Sequence, residues 1–437
     1  MYRQTSKLII YGAIPKDSIL MRMARIYREL DENSKSDEAL TKEVYAQVRR
    51  LLEVATDYGF DGNLWQNYLT FLLISTETPF SITCEKRGAT KGASVNVFAK
   101  NDFEVFRNLF HFDFGPLEKR LGISCFGLLE NYHAISKSDT MFNRNVSERV
   151  RELSPQLAAA ENTDEFFDLV TEFYRHYGVG MLGLHKAFRI ISDGENGVRF
   201  HGINNMETVH LSDLVGYERQ KQKLIENTEA FVEGRKANNC LLYGDMGTGK
   251  STSIKAIVNE YYDKGLRMIE IYKHQFKDLS DVIAKIKTRN YRFIIYMDDL
   301  SFEENETEYK FLKAVIEGGV ETRPDNILIY ATSNRRHLVR ETWNDRSDMD
   351  QDLHRSETME EKLSLVSRFG VTINYSKPTQ EEYFNIVDHL ALKNGISMKP
   401  DDLHMEAHRW EMSHGGLSGR TAQQFINHLL SVGKDTE

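Results

Sequence analysis

A glycine-rich loop that ends in a lysine and a hydroxyl residue carries the clearest chemistry in this sequence. It comprises Gly244, Asp245, Met246, Gly247, Thr248, Gly249, Lys250, Ser251 and Thr252. Glycines at these spacings let backbone N–H groups turn inward around phosphate oxygens, and a helix that begins near Lys250 directs its positive end at the same anion. The Lys250 ammonium can reach the terminal phosphates, and the Ser251 hydroxyl can bind Mg²⁺. The pattern therefore predicts a loop that holds the phosphates of a nucleotide.

Two apolar runs downstream end in polar side chains. RFIIYM is followed by Asp298 and Asp299, and NILIYATS by Asn334. Ligands of open α/β sheets bind at the carboxyl ends of the strands. We expect Asp298 to be a Mg²⁺ ligand beside Ser251, Asp299 to polarise an attacking water, and Asn334 to hydrogen-bond that water or the γ-phosphate. Glu303 or Glu304 remains an alternative to Asp299 as the base that activates this water.

Two arginines late in the chain are further candidates for contact with phosphate. Arg368 precedes the apolar run VTINY, and Arg420 begins a helical pattern near the C-terminus. A fixed guanidinium matches the geometry of a phosphate and neutralises charge that develops during phosphoryl transfer. The alternative for both is a surface arginine that pairs with nearby carboxylates.

The elements that must position these residues alternate between strands and helices. Strands are expected at 239–243, 266–272, 292–297, 326–332 and 371–375. Helical patterns between the first four strands predict a parallel sheet with helices on both faces. Three helical stretches close the chain, at 379–393, 401–413 and 419–433, and Thr379 with Glu382 forms a capping box for the first.

Before this alternation, residues 18–190 read mainly as helices. One helix face is indicated by the spacing of Leu40, Val44, Val48, Leu51 and Ala55. A second helix should begin with Thr163 as its cap and end at Gly178. Its aromatic face, at 166–177, is expected to pack in the core rather than to form a groove for a partner.

A boundary between domains is indicated by the stretch SDGENGVRFHGINNMET at 192–208, because its glycine, asparagine and acidic residues are typical of a linker. The resulting prediction is a mostly helical N-terminal domain at 1–204, an α/β core at 205–377 and a helical lid at 378–437.

Composition narrows the class of protein. Of 437 residues, 41% are hydrophobic and 28% charged, which is typical of a soluble globular chain. The net charge of −9 gives no basic footprint for nucleic acid, although a local patch is still possible. Three scattered cysteines favour a reducing compartment. We expect a cytoplasmic protein with no membrane segment.

Three weaker signals do not predict a functional site. His404, His408 and His414 are expected to lie on a solvated helix face rather than to bind a metal. An acidic run from Glu303 to Glu308 is read as the start of a helix, although it could steer a basic partner. Exposed surface is the expectation for Arg335 and Arg336 and for the charged stretch 341–361, while contact of the two arginines with a neighbour or DNA stays open.

These pieces, in this order, resemble the AAA+ ATPases over residues 207–433. The resemblance implies Walker A at Gly244–Ser251, Walker B at Asp298 and Asp299, sensor 1 at Asn334, the arginine finger at Arg368, sensor 2 at Arg420, and packing of Val215 and Gly216 on adenine. It implies a doubly wound P-loop NTPase sheet with a small helical lid. One departure is Asp299, since Walker B usually ends in glutamate. Asp-Asp resembles the replication-initiator and helicase-loader branch, in which hydrolysis is often slow.

A closer resemblance is to a bacterial AAA+ family classed as a domain of unknown function, whose members pair a helical N-terminal region with this ATPase module. The stretches that carry it are NNCLLYGDMGTGKS, GLRMIEIYK, DDLSFEENETEYKFLK, SNRRHL and EEKLSLVSRFG. The resemblance implies ATP and Mg²⁺ as ligands. The lack of an Asn-Lys-x-Asp motif also favours ATP over GTP.

The sequence thus leads to the hypothesis of a Mg²⁺-dependent ATPase that remodels, or assembles on, an unknown protein or nucleic-acid partner. A slow nucleotide-gated scaffold or switch is the main alternative. A P-loop kinase is disfavoured by Asn334, Arg368 and the helical tail. If Arg368 acts on the nucleotide of a neighbouring subunit, the interface is head-to-tail, and we expect an ATP-dependent homo-oligomer, either a ring or an open helix.

Overall fold

The computed structural model describes residues 1–134, 144–192, 197–204, 206–302, 308–317, 324–334 and 365–432. The chain forms two compact units. The first comprises Met1–His185 and Gly202–Met206, and the second comprises Lys186–His201 and Glu207–Glu437. Within the described ranges, every helix is too short or too polar to traverse a lipid bilayer.

The first unit is helical, as predicted. Its helices are α1 Tyr2–Thr5, α2 Ile19–Asp31, α3 Asp37–Tyr58, α4 Leu64–Ser75, α5 Pro79–Arg87, α6 Ser94–Phe110, α7 Gly115–Leu121, α8 Phe126–Glu130, α9 Arg144–Ala159, α10 Thr163–Tyr177 and α11 Met181–Leu184. Helix α3 buries Leu40, Val44, Leu51 and Ala55, which confirms the predicted apolar face. The helices enclose one continuous hydrophobic core.

Helix α10 confirms one prediction and corrects another. Its aromatic face is core, because Phe166 and Tyr174 are fully buried. The cap, however, is Asn162 rather than Thr163. The Asn162 side-chain oxygen accepts the Glu165 N–H at 2.9 Å, since Asn162 is extended while Thr163 is already helical.

The second unit combines a sheet with helices. Its strands are β1 Ala187–Ser192, β2 Val198–Gly202, β3 Cys240–Gly244, β4 Leu266–Glu270, β5 Arg292–Met297, β6 Ile327–Ser333 and β7 Val371–Tyr375. Its helices are α12 Glu218–Val232, α13 Lys250–Tyr261, α14 Leu279–Ile286, α15 Tyr309–Glu317, α16 Gln380–Lys393, α17 Pro400–Ser413 and α18 Gly419–Ser431.

The strand order is β2-β1-β4-β5-β6-β3-β7, and β1 and β3 to β7 pair in parallel. The five predicted strands are therefore confirmed within one or two residues at each end. Strand β3 lies between β6 and β7, with Cys240 opposite both Tyr330 and Val371. Consequently the loop after β3 shares one edge of the sheet with the carboxyl ends of its neighbours.

Most of β1 lies in the stretch 18–190 that was predicted to be mainly helical, and β2 lies in the predicted linker at 192–208, so both predictions were wrong where these strands form. Both strands extend the sheet, and β1 pairs with β4 from Ala187↔Met268 to Arg189↔Glu270. Short apolar runs become strands through such pairing, which local spacing does not reveal. The chain passes from the first unit to the second after His185 and again after Met206, and the domain boundary near 205 stays a prediction.

Helices α16 to α18 confirm the three predicted C-terminal helices and pack around a hydrophobic cluster of their own. The capping box of α16 is also confirmed. The Glu382 N–H donates to Thr379 Oγ1 at 3.3 Å, and the Thr379 N–H donates to Glu382 Oε2 at 2.7 Å. The division of core from lid at 377/378 stays a prediction.

Candidate functional site

The glycine-rich loop joins β3 to α13, which begins at Lys250 as predicted. Gly244, Gly247 and Gly249 have φ values of +133°, +73° and +88°, a region that other residues rarely adopt. A Cβ atom on Gly244 would lie 2.1 Å from the Tyr375 carbonyl oxygen. The glycine types are therefore required both by the backbone conformation and by the close approach of β7.

The Lys250 side chain is buried and curls back into the loop. Its Nζ donates hydrogen bonds to the carbonyl oxygens of Gly244 at 3.0 Å and Asp245 at 2.5 Å, and to Asn334 Oδ1 at 3.1 Å. Burial lowers the pKa of the ammonium. Nearby carboxylates, Asp245 foremost, oppose this shift but do not cancel it. An incoming anion would replace carbonyl dipoles with a full negative charge beside this cation.

Asp298 lies beside the first turn of α13. Its Oδ1 accepts hydrogen bonds from Ser251 Oγ at 2.8 Å and Thr332 Oγ1 at 2.6 Å. Burial by itself would raise the pKa of this carboxyl, but hydrogen bonds, that of Thr332 foremost, outweigh burial and leave the pKa below its ordinary value. An ionised carboxylate and a hydroxyl fit Mg²⁺, which binds proteins through one or two carboxylates plus substrate phosphates.

Asp299 has a different environment from its neighbour. Its backbone is left-handed, with φ of +49°, and its Oδ1 accepts a hydrogen bond from Asn334 Nδ2 at 2.7 Å. Since Asn334 also accepts from Lys250, one amide connects the buried ammonium to the Asp299 carboxylate. The two aspartates thus point to different partners although they are adjacent in sequence.

These groups surround one cavity of about 730 Å³, a size typical of small-molecule sites. The predicted site residues that line it are Val215, Met246, Gly247, Thr248, Gly249, Lys250, Ser251, Thr252, Asp298, Asp299, Asn334 and Arg420. Four predicted residues are not among the lining residues, namely Gly216, Gly244, Asp245 and Arg368. The structure thus brings together groups from the loop, two strand ends and a C-terminal helix.

The two arginines differ in position. Arg420 lies in the first turn of α18, and its N–H donates to the Gly247 carbonyl oxygen at 3.3 Å. Arg368 lies on a short turn before β7, where its N–H donates to the Leu365 carbonyl oxygen at 3.3 Å. Of these two arginines, Arg420 lines the cavity and Arg368 does not. Glu303, Glu304, Arg335, Arg336 and 341–361 lie outside the described residues.

Several lining residues were not predicted. Ile386 and Leu390 on α16 join Leu214 and Val215 in an apolar wall suited to a planar base. Their spacing of four residues marks an apolar helix face but not what that face meets. Lys393 Nζ also contacts Asp213 Oδ1 at 2.6 Å, which lowers the pKa of that carboxyl.

The histidines of α17 have protein partners. His404 Nε2 lies 2.8 Å from Asp388 Oδ1, and the ring stacks on Phe384. His408 Nδ1 lies 3.1 Å from Glu411 Oε1. In the described part of the chain, no group of three or more potential metal ligands is gathered together.

Comparison with known families decides the affiliation. The pattern of a family described as protein of unknown function (DUF815) matches residues 184–433, more than half of the 437 residues. The chain belongs to the DUF815 family. The matched part of this DUF815 protein begins just before β1. The family's shared module therefore includes β1 and β2 as well as β3, the strand that leads into the glycine-rich loop.

Shorter matches relate part of this DUF815 protein to large subunits of replication factor C. The replication factor C large subunit of Methanococcus maripaludis is 44% identical over 77 residues, 17% of this chain and 15% of that protein. The protein of the same name from Staphylothermus marinus is 30% identical over 79 residues, 18% of each chain. The chain therefore spans less than a fifth of the length of these curated relatives.

Among solved structures, the Thermotoga maritima RuvB Holliday junction branch migration motor is 16% identical, with a TM-score of 0.37. The alignment covers 52% of this chain and 67% of that one. The parallel sheet confirms the predicted α/β P-loop fold. The first unit confirms the predicted helical N-terminal region. The expected membership of a family of unknown function is likewise confirmed.

Proposed function

We propose that this DUF815 protein binds ATP with Mg²⁺ in the cavity and hydrolyses the bond to the γ-phosphate. The observation that carries the proposal is the convergence of the Lys250 ammonium, the Ser251 hydroxyl and the ionised Asp298 carboxylate around one cavity beside a turn of glycines. A triphosphate needs this combination of inward N–H donors, a cation and oxygen ligands for its metal.

Each group has a role in such a reaction. Lys250 and the loop would hold the β- and γ-phosphates, and Ser251 with Asp298 would hold Mg²⁺, which neutralises charge on the phosphate oxygens. Asp299, oriented by Asn334, would receive a proton from the attacking water. Catalysis would come from positioning and charge neutralisation.

We propose that ATP binding and hydrolysis drive the remodelling of a protein or nucleic-acid partner, or regulated assembly on such a partner. The matched relatives are subunits of replication factor C, which makes DNA the first polymer to test as a partner. A slow nucleotide-gated switch is the second candidate. Asp299 favours it, because this carboxylate is one methylene shorter than glutamate and is already bonded to Asn334.

The decisive experiment is calorimetric titration of the full chain with ATP and Mg²⁺. Lys250→Met should weaken binding at least about ten-fold, since a hydrogen bond to a charged group is lost. Lys264→Met is the matched control, because Lys264 is exposed just beyond α13 and should leave affinity unchanged. Equal affinities of the wild type and Lys250→Met would contradict the proposal.

The same preparations separate the two candidates. A remodelling enzyme should turn over faster when its polymer or protein partner is added. A switch should bind ATP tightly yet show a low basal rate that double-stranded DNA, single-stranded DNA and added protein leave unchanged. The phosphate released per minute, with and without each polymer, is the measurement.

A further inference from the structure

Thr332 contacts both aspartates through a single hydroxyl. Its side chain is almost fully buried, its Oγ1 donates to Asp298 Oδ1 at 2.6 Å, and the same oxygen accepts the Asp299 N–H at 2.9 Å. An ionised carboxylate can only accept and an amide N–H can only donate. The direction of both hydrogen bonds is therefore determined by the partners.

The sheet holds this hydroxyl in place. Strands β5 and β6 pair in parallel up to Met297↔Ala331, so Asp298 and Thr332 are the next residues of the two strands. Beyond them, the Leu300 N–H donates to the Thr332 carbonyl oxygen at 2.7 Å. Thr332 thus lies on a rigid strand at the point where the chain after β5 begins to turn.

The turn itself depends on an unusual backbone. Asp299 has a left-handed φ of +49°, which is unfavourable for a residue with a side chain. The hydrogen bond from its N–H to Thr332 stabilises this conformation, from which the Asp299 carboxylate reaches Asn334. One hydroxyl thus orients the carboxylate of Asp298 and the main chain of Asp299.

We propose that Thr332 is a positioning residue for both aspartates, on the proposed function that the cavity binds ATP with Mg²⁺. It presents Asp298 to the metal ion beside Ser251 and keeps Asp299 in the conformation in which its carboxylate accepts the Asn334 amide. The strand-end stretch NILIYATS contains Thr332, but its pattern assigns no role to this residue.

The test uses full-length protein and a fluorescent ATP analogue. Thr332→Val keeps the shape of the side chain and its preference for a strand but removes the hydroxyl, whereas Thr332→Ser retains the hydroxyl. Analogue affinity is measured first in EDTA and then during titration with Mg²⁺. Thr332→Val should raise the half-saturating Mg²⁺ concentration about ten-fold, since lost support of a ligand costs metal affinity on that scale. Thr332→Ser should match the wild type.

A second readout is independent of the metal. Hydrogen exchange at the Asp299 amide should become faster in Thr332→Val, because its acceptor is lost, and should stay slow in Thr332→Ser. Affinity for the analogue in EDTA should stay within about two-fold of the wild type in both variants.

Unchanged Mg²⁺ dependence in Thr332→Val would overturn the inference, as would an equal loss of affinity with and without Mg²⁺, which a purely structural role would cause. If Thr332→Val does not fold, Thr332→Ala carries the same comparison. A wild-type protein that binds no analogue under any condition would overturn the proposed function and the inference with it. If the wild type binds the analogue and Thr332→Val shows the same Mg²⁺ dependence as the wild type, only the inference is overturned.

Discussion

At the scale of residues, the loop depends on glycines for two separable reasons. Gly244 and Gly265 both have positive φ, at +133° and +88°. A Cβ on Gly244 would collide with the backbone of Tyr375, whereas nothing lies within 4 Å of one on Gly265. Gly244 is therefore constrained both by its backbone conformation and by a steric clash, whereas Gly265 is constrained by its backbone conformation alone.

We predict that Gly244→Ala destabilises the protein by at least about 2 kcal/mol more than Gly265→Ala. Positive φ by itself costs about 1 kcal/mol for alanine, while the clash forces β3 and β7 apart. Urea denaturation of both variants gives the difference in the free energy of unfolding. Equal destabilisation would show that β7 moves away without cost and that the close approach is not a constraint.

At the scale of elements, β1 is part of the sheet rather than of the predicted helical region. Phe188 is fully buried and Ile190 nearly so, and β1 pairs with β4 along three residue pairs. A fragment that starts downstream of β1 would expose one edge of β4 and lose the apolar contacts of these two side chains.

We predict that the fragment 186–437 unfolds cooperatively and that the fragment 207–437 is less stable by about 3 kcal/mol or more, since burial of each large apolar side chain contributes about 1.5–3 kcal/mol. Urea midpoints and aggregation measured by light scattering check this. Phe188→Ala in the longer fragment is the matched control and should reproduce most of the loss. Similar midpoints for the two fragments would place β1 outside the stable core.

At the scale of the whole molecule, Arg368 stands apart from the cavity of its own chain while Arg420 lines it. If Arg368 serves a neighbour's nucleotide, every subunit donates one arginine and receives another. The active unit would then be an assembly, and two differently damaged subunits should complement each other.

We predict that Arg368→Ala binds ATP normally but hydrolyses it about 1,000-fold more slowly, the scale of an arginine supplied to a phosphoryl-transfer site. Lys250→Met should also be inactive. A mixture of the two should regain hydrolysis, because an intact loop in one subunit can meet an intact arginine from the other. Phosphate release by each variant and by the mixture is the measurement.

Size-exclusion profiles with and without a non-hydrolysable ATP analogue complete that experiment. The wild type should shift to a larger species with nucleotide. Arg235→Ala should behave as the wild type, because Arg235 is exposed and pairs with Glu233 of its own chain. Normal hydrolysis by Arg368→Ala, or identical profiles in both conditions, would contradict the assembly.

Much of the candidate site was predictable because its signals are local. Five strands, the start of α13 at Lys250 and the capping box of Thr379 follow from spacing within a few residues. The phosphate loop is the clearest case, since its chemistry requires glycines and a lysine at fixed separations along one short segment. The order of polar strand ends then indicated which side chains share the edge of the sheet.

Tertiary structure alone decided the remaining features, because they depend on residues far apart in sequence. Strand β1 exists through its pairing with β4, and the apolar wall forms because α16 meets the segment at Leu214. Thr332 looks like any threonine in a strand until β5 places two aspartates against its hydroxyl. Local spacing determined which residues can do chemistry, and strand pairing and helix packing determined which of them meet.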